Sequence, residues 1–299
     1  MIHHLKKNIY RICIAFLKKY NAGKMKPDSV NIFIEKCIFY SKKGYIPDFN
    51  KHADFGEFIC YRKFYGDYKE LAEVADKFKV RKYVKNRIGE SYLTKLYDVA
   101  DRVEDINETR YLRYPDQFAV KPNHASRRVF INKNRDYRLF KRSIDGFLDE
   151  FGNSNNEFHY KLIKKKLIFE EYLNSKKGLF REYKIDVFHG KAEIISLSSS
   201  VYEGLQNNAY RYRLYDRNWK EFNIQSVDEA PLESRPDQLN EMLKVSEELA
   251  KGWDYIRVDL IHVDGELKFG EMTPTECAGR LFSWTREDLK YLYDNYVRL

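Results

Sequence analysis

Asp259 and Glu271, near the C-terminal end, sit in segments whose alternation lets their orientation be argued from side-chain parity. In YIRVDLIHV, Ile256, Val258 and Leu260 make one apolar face and leave Arg257 and Asp259 on the other, because successive strand side chains point to opposite faces. In ELKFGEMT, Glu271 and Thr273 share a face and Met272 takes the opposite one. A two-residue Asp264-Gly265 turn would set the two carboxylates on opposite faces and bury one of them. A three-residue loop, Val263-Asp264-Gly265, with Gly265 left-handed in a bulge, is therefore predicted. It gathers Arg257, Asp259, Glu271 and Thr273 on one face and leaves Ile256, Val258, Leu260 and Met272 for the core. Two carboxylates and a hydroxyl on adjacent strands form an all-oxygen site of the kind Mg²⁺ accepts together with phosphate oxygens. The hairpin alone equally describes a solvated polar sheet face.

A second strand repeats the alternation, with Glu182, Lys184 and Asp186 on one face and Tyr183, Ile185 and Val187 on the other. Taken by itself, this pattern also fits an exposed cross-strand charge network. Lys121 closes the apolar run FAV and precedes the basic turn PNHASRR, where a lysine can meet phosphate oxygens as a point charge or simply face water. Nucleophile schemes find no footing. Ser198, Ser199 and Ser200 lack a nucleophile-elbow context and Cys277 has no placed histidine; His3 and His4, adjacent instead of four apart, are not read as ligands.

The elements that must position these groups fall into two regimes. Residues 26 to about 105 read mainly helical, from the spacing in VNIFIEKCIFY, YKELAEVADKFKVRKYVKNRIG and SYLTKLYDVA. From Phe118 onward come short apolar runs bounded by turns: FAVK, RRVFIN, KLIFEEYL, FREYKIDVF, KAEIISLS, YIRVDLIHV and ELKFGEM. His189-Gly190 and Asp264-Gly265 are hairpin signals, so antiparallel sheet is expected, with a helix in PDQLNEMLKVSEELAKG ahead of the second hairpin. The fold class is α+β. The expected divisions are a helical lobe over 1–105, a small α+β lid over 106–169 and a C-terminal α+β unit over 170–299.

Composition bounds the function classes. The chain has 299 residues, 43% of them hydrophobic, with 54 basic against 45 acidic residues and a formal net charge of +9. With a mean hydropathy of -0.67, this excludes an integral membrane chain and an acidic disordered one and favours anionic partners. Cys13, Cys37, Cys60 and Cys277 are scattered without a C-x-x-C pair, which argues against a disulfide framework or a thiolate zinc site. The opening MIHHLKKNIYRICIAFLKKY reads as a basic amphipathic helix, either lying on anionic lipid at the inner membrane face or packed on its own domain. It has no cleavage site, so a cytoplasmic address is expected. Nucleic acid is not an expected partner, since NNAYRYRLYDRNWK offers charge and aromatics without a binding motif.

The order of five blocks resembles the ATP-grasp superfamily and, within it, the TupA-like ATP-grasp family linked to bacterial surface polysaccharide synthesis. The blocks are ADKFKVRKYVKNRIGESYLTKLYDV, FAVKPNHAS, LIFEEYL, REYKIDVFHGKAEII and WDYIRVDLIHVDGELKFGEMTP. The resemblance implies an ATP-grasp fold whose antiparallel sheets clasp the nucleotide. It implies Lys77 and Lys121 as phosphate-contacting lysines, Glu170, Glu171, Tyr172 and Leu173 as the adenine hinge, and Glu182 as a ribose-binding acid. Lys184 would meet phosphate or substrate, and Asp259 and Glu271 would hold Mg²⁺. Thr273 stands where many of these enzymes have Asn, and the loop after Lys121 reads NHASRR where a glycine-rich NHGSG is the pattern. Arg257 and Arg280 are the expected grips for an acceptor carboxylate. The implied reaction is ATP-dependent carboxylate–amine ligation through an acylphosphate. It would act on a uronic acid or amino acid of a surface glycan, with glycan-assembly enzymes as partners, and the alternative is a non-catalytic nucleotide- or glycan-binding accessory protein.

Overall fold

The computed structural model describes residues 2–175, 180–198, 212–222 and 232–298. The chain begins with five helices, α1 (Ile2–Tyr20), α2 (Ser29–Lys43), α3 (Phe55–Tyr65), α4 (Tyr68–Ala75) and α5 (Val80–Ile88). Three of them start where an aspartate accepts orphan backbone N–H groups: Asp28 before α2, Asp54 before α3 and Asp67 before α4. The expected run YKELAEVADKFKVRKYVKNRIG breaks into α4 and α5. Asp76 ends α4, and its carboxylate then accepts the N–H groups of Phe78 and Lys79 at 2.9 and 3.2 Å, which leaves Lys77 in the break. No helix among the described residues is long and apolar enough to cross a membrane.

The first sheet joins β1 (Leu96–Ala100), β2 (Phe118–Pro122), β3 (Phe130–Asn132) and β4 (Leu167–Glu171) in the antiparallel order β1-β4-β2-β3. The short helices α6 (Glu108–Tyr111) and α7 (Tyr137–Ser143) cover one face, where Tyr111, Tyr114, Phe118, Phe140, Leu167 and Phe169 form its core. SYLTKLYDVA, expected as helix, contains β1. Gly89 at φ +100 stops α5, and Ala100 pairs with Leu167. A five-residue run satisfies either period, and its partner strand lies almost seventy residues on, so tertiary pairing decides. The boundary expected at residue 105 therefore cuts through a sheet.

The second sheet contains β5 (Phe180–Phe188), β6 (Lys191–Ser198), β7 (Tyr212–Asp216), β8 (Tyr255–Val263) and β9 (Glu266–Thr273), in the order β7-β6-β5-β8-β9. One face is apolar. Tyr183, Ile185, Val187, Ile256, Val258, Leu260 and Met272 pack there against Val80 and Val84 of α5 and against Met242 and Leu249 of α8 (Leu239–Leu249). A second cluster at the sheet's end joins Phe55 and Phe58 of α3 to Phe188, Tyr255 and Leu289 of α9 (Arg286–Leu292). Strand β7 arises from the aromatic-basic segment, of which residues 207–211 lie outside the described residues. Ser199 and Ser200 lie outside them as well.

Both hairpin signals form two-residue turns with positive φ at each central residue, 48° and 78° at His189-Gly190, and 50° and 97° at Asp264-Gly265. The predicted three-residue loop is thus replaced. Val263 pairs with Glu266 across the tight turn, and the register slips by one residue farther along the ribbon, between Leu260↔Phe269 and Asp259↔Glu271. Gly270 is the extra residue of that bulge. A Cβ there would stand 3.0 Å from the Asp259 carbonyl oxygen, so the close strand approach favours glycine.

Candidate functional site

The bulge at Gly270 restores parity, so Asp259 faces Glu271 directly and Arg257 faces Thr273. On the other flank, β5 sets Lys184 opposite Asp259 and Asp186 opposite Arg257. The polar face of three adjacent strands therefore carries Glu182, Lys184, Asp186, Arg257, Asp259, Glu271 and Thr273 together, while the alternate residues fill the core.

Charge pairing inside this cluster is dense. Asp259, 1% exposed, accepts Arg257 Nε at 2.6 Å and Nη2 at 2.7 Å, and Lys184 Nζ at 2.9 Å. Lys184 also lies 3.2 Å from Glu182. Glu271 accepts Lys77 Nζ at 2.6 Å, which brings the lysine from the α4–α5 break onto the sheet. Arg257 Nη2 further donates to Thr273 Oγ1 at 3.1 Å, and its Nη1 donates to Glu276.

The electrostatics follow from burial against pairing. Burial pushes the Glu182 carboxyl up, and Asp259 and Glu271 add to that, while Lys184 opposes it. Burial also lifts Asp186 to about 6. Glu271 goes the other way: burial would raise it, but Lys77, Arg257 and Lys184 hold it well below the usual carboxylate range. Lys184 stays protonated far into the alkaline range, because the nearby carboxylates outweigh the burial that would lower it.

Five carboxylates, counting Glu276, face three cations here. That excess of negative charge suits a divalent cation. Asp259 and Glu271 supply hard oxygen donors from directly opposed positions, and Mg²⁺ commonly takes one or two carboxylates plus substrate phosphates and water. The donor set fits Mg²⁺ whose remaining positions are filled by oxygens from outside the protein. Among the described residues no group of three or more His, Cys, Asp or Glu could hold a metal alone.

A second polar cluster lies on the first sheet. Glu170, 5% exposed, accepts Arg81 Nη1 at 2.8 Å and Lys121 Nζ at 2.7 Å, with Lys121 on neighbouring β2. Asn123, fully buried, ties this sheet to the first lobe. Its Nδ2 donates to Asp76 at 2.8 Å, its Oδ1 accepts Lys166 N at 2.8 Å, and its carbonyl accepts Lys77 N at 3.0 Å. The loop carrying Lys121 and the break carrying Lys77 are thereby joined. Glu171 ends β4, its N–H donating to the Lys95 carbonyl at 2.9 Å and its carboxylate accepting Lys95 N at 3.3 Å. Tyr172 lies under the Lys133 ammonium at 5.5 Å, and Leu173 is half-buried beyond it. In the loop NHASRR, His124 and Ala125 are buried and Arg128 donates to the Gly146 carbonyl at 2.7 Å.

Arg280 is not brought to either cluster. Its guanidinium is 7% exposed and donates to Glu35 at 2.6 and 2.7 Å and to the Ser154 carbonyl at 2.9 Å. With both donor edges taken by the protein, it cannot also grip a substrate carboxylate without breaking a buried ion pair. Sequence reading missed Glu276, Arg81 and Gly270. Arg81 lies one helical turn past Lys77, and Gly270 is a glycine inside a strand pattern, which is itself a bulge signal.

The family model described as TupA-like ATPgrasp matches residues 57–295. A comparison with curated proteins gives no match. Among solved structures, D-alanine–D-alanine ligase from Bacillus anthracis is similar at 18% identity and a TM-score of 0.40, over 68% of this chain and 58% of that one. D-cycloserine synthetase DcsG is similar at 15% identity and a TM-score of 0.44, over 79% and 76%. N5-carboxyaminoimidazole ribonucleotide synthetase from Thermus thermophilus is similar at 14% identity and a TM-score of 0.43, over 71% and 48%. The chain spans less than two thirds of the length of the first and third of these.

Proposed function

Because the chain belongs to the TupA-like ATP-grasp family and has its α+β ATP-grasp fold, we propose that it is an ATP- and Mg²⁺-dependent carboxylate–amine ligase. The observation that carries this reading is the directly opposed pair Asp259 and Glu271, on one polar sheet face with Lys77, Lys184 and Arg257 converging on it. Asp259 and Glu271 would hold Mg²⁺, with the Thr273 hydroxyl beside them; the ion supplies charge neutralisation at the phosphates. Lys77, Lys184 and Lys121 now rest on protein carboxylates, and on nucleotide binding they exchange these for phosphate oxygens. Glu170 and the segment Glu171, Tyr172 and Leu173 would face adenine, and Glu182 the ribose.

The chemistry asks for no covalent nucleophile from the protein. A substrate carboxylate oxygen attacks the γ-phosphorus, forming a P–O bond as the bond to ADP breaks. An amine then attacks the acyl carbon, forming C–N and expelling phosphate. Arg257 is our candidate for orienting that carboxylate, for which it would have to exchange its contacts with Asp259 and Glu276 as the lysines exchange theirs, and lysine charges stabilise the transferring phosphoryl group. The small sheet serves as the lid that keeps water from the acylphosphate. A uronic acid or amino acid of a surface polysaccharide is the substrate class we favour, on the family resemblance and the basic surface.

The test is ADP release with uronic acid and amine mixtures. Asp259→Asn and Glu271→Gln should fold but lose Mg²⁺-dependent turnover by about a hundred- to a thousandfold, as for removal of preorganised transition-state charge stabilisation; unchanged turnover sinks the assignment. The loop NHASRR favours a second reading, a nucleotide-binding accessory protein, because Arg128 is spent on Gly146 and the loop lacks glycine. ATP-induced thermal stabilisation with no ADP release under any substrate mixture would select it.

A further inference from the structure

We propose that the outward face of α1 is a docking surface for an anionic phospholipid bilayer. Helix α1 carries Lys6, Lys7, Arg11, Lys18 and Lys19 and no carboxylate along its 19 residues. It has two apolar stripes where packing on the domain needs one. Cys13 and Leu17 are buried against Ile38 of α2, with Ile9, Tyr10, Ile14 and Phe282 alongside. The other stripe points away from the domain: Ile12 is 67% and Phe16 40% exposed, one helical turn apart. Phe16 stacks on Tyr20 at 4.9 Å between ring centroids, and Lys24 lies over Tyr20 at 3.6 Å. At 100° per residue, Lys19 falls between Ile12 and Ala15 on that outer arc, and Arg11, Lys18 and Lys7 flank it on one side. Among the described residues none of the helix's five cations forms an ion pair.

The combination decides the occupant. Cations alone would serve any polyanion, but an exposed isoleucine and phenylalanine gain nothing from a phosphodiester backbone and are withdrawn from water in the headgroup region. Lysine stems lie along the apolar surface while their ammonium groups reach lipid phosphates.

The test uses the full chain and vesicles of phosphatidylcholine with or without phosphatidylglycerol. The protein should sediment with the anionic vesicles, release at high salt, and ignore the neutral ones. Lys18→Ala with Lys19→Ala should weaken binding about 25-fold, since each basic residue near such a surface contributes roughly fivefold. Phe16→Ser should weaken it too while leaving binding to a DNA oligonucleotide, the control polyanion, unaltered. Lys18 and Lys19 are exposed, so that variant's thermal melt should match the parent, and Phe16→Ser, which gives up the stack on Tyr20, should still melt as one cooperative transition only slightly lower. No sedimentation with anionic vesicles overturns the proposal, and so does a Phe16→Ser variant that binds them like the parent.

Discussion

Replacing Arg280 by methionine separates a structural role from a substrate-binding one. Arg280 and Glu35 form a two-pronged pair at 2.6 and 2.7 Å, with side chains 7% and 0% exposed, and the fully buried Lys63 lies 3.3 Å from the same carboxylate. Removing one partner of a buried pair costs about 3–5 kcal/mol, because the remaining charge is left uncompensated. Lys63 and the Asn156 amide, at 2.7 Å, stay on Glu35, so the lower end applies, about 3 kcal/mol. The protonation equilibrium of Glu35 points the same way. Burial alone would lift Glu35, but Arg280 and Lys63 bring it to about 2 from an ordinary 4.5. That difference corresponds to about 3 kcal/mol at neutral pH for all of Glu35's partners against its burial, not for Arg280 alone. Since the folded-state value is depressed, this stability is complete above pH 4.5 and is lost as pH falls through 2. Thermal melts should show Arg280→Met about 6–12 °C below the parent at pH 7. The gap should narrow in acid, where the parent gives up the same interaction. An Arg280→Met protein that melts like the parent but has a raised KM for its carboxylate substrate would refute this reasoning and return Arg280 to the substrate.

Lys121→Ala should weaken ATP binding about ten- to a hundredfold, the worth of a charge-assisted contact, read by calorimetric titration. Glu170 keeps Arg81 in that variant and Lys121 is itself about a quarter exposed, so the melt should fall by less than that of Arg280→Met. Gly279→Ala should destabilise by more than about 1 kcal/mol, read by denaturant unfolding. Gly279 sits at φ +76, where a Cβ would meet Cys60 Sγ at 2.5 Å and the Gly56 carbonyl at 2.8 Å.

Much of the site was legible because strands announce their faces with a period of two. The alternations in REYKIDVF and YIRVDLIHV put Lys184 on the polar face of one strand and Arg257 and Asp259 on that of another, and the pairing of β5 with β8 joins the two faces. The hairpin shows the limit. Parity asked that Asp259 and Glu271 share a face, and the turn residues asked for a tight two-residue loop. One bulge at Gly270 satisfies both, which a reading of the turn alone could not find.

The amino-acid sequence by itself determined local matters: where aspartates start helices, which strand residues face the core, where chains reverse, and that the surface would be basic. Each depends on a few neighbouring residues. Only the tertiary structure decided that LYDVA is an edge strand, that Lys77 reaches Glu271, that Lys121 and Arg81 share Glu170, and that Arg280 is spent on Glu35. Those partners stand far apart along the chain, up to 245 positions for Arg280 and Glu35. A charged side chain's partner is set by which surfaces pack together, a property that no periodicity along the chain encodes.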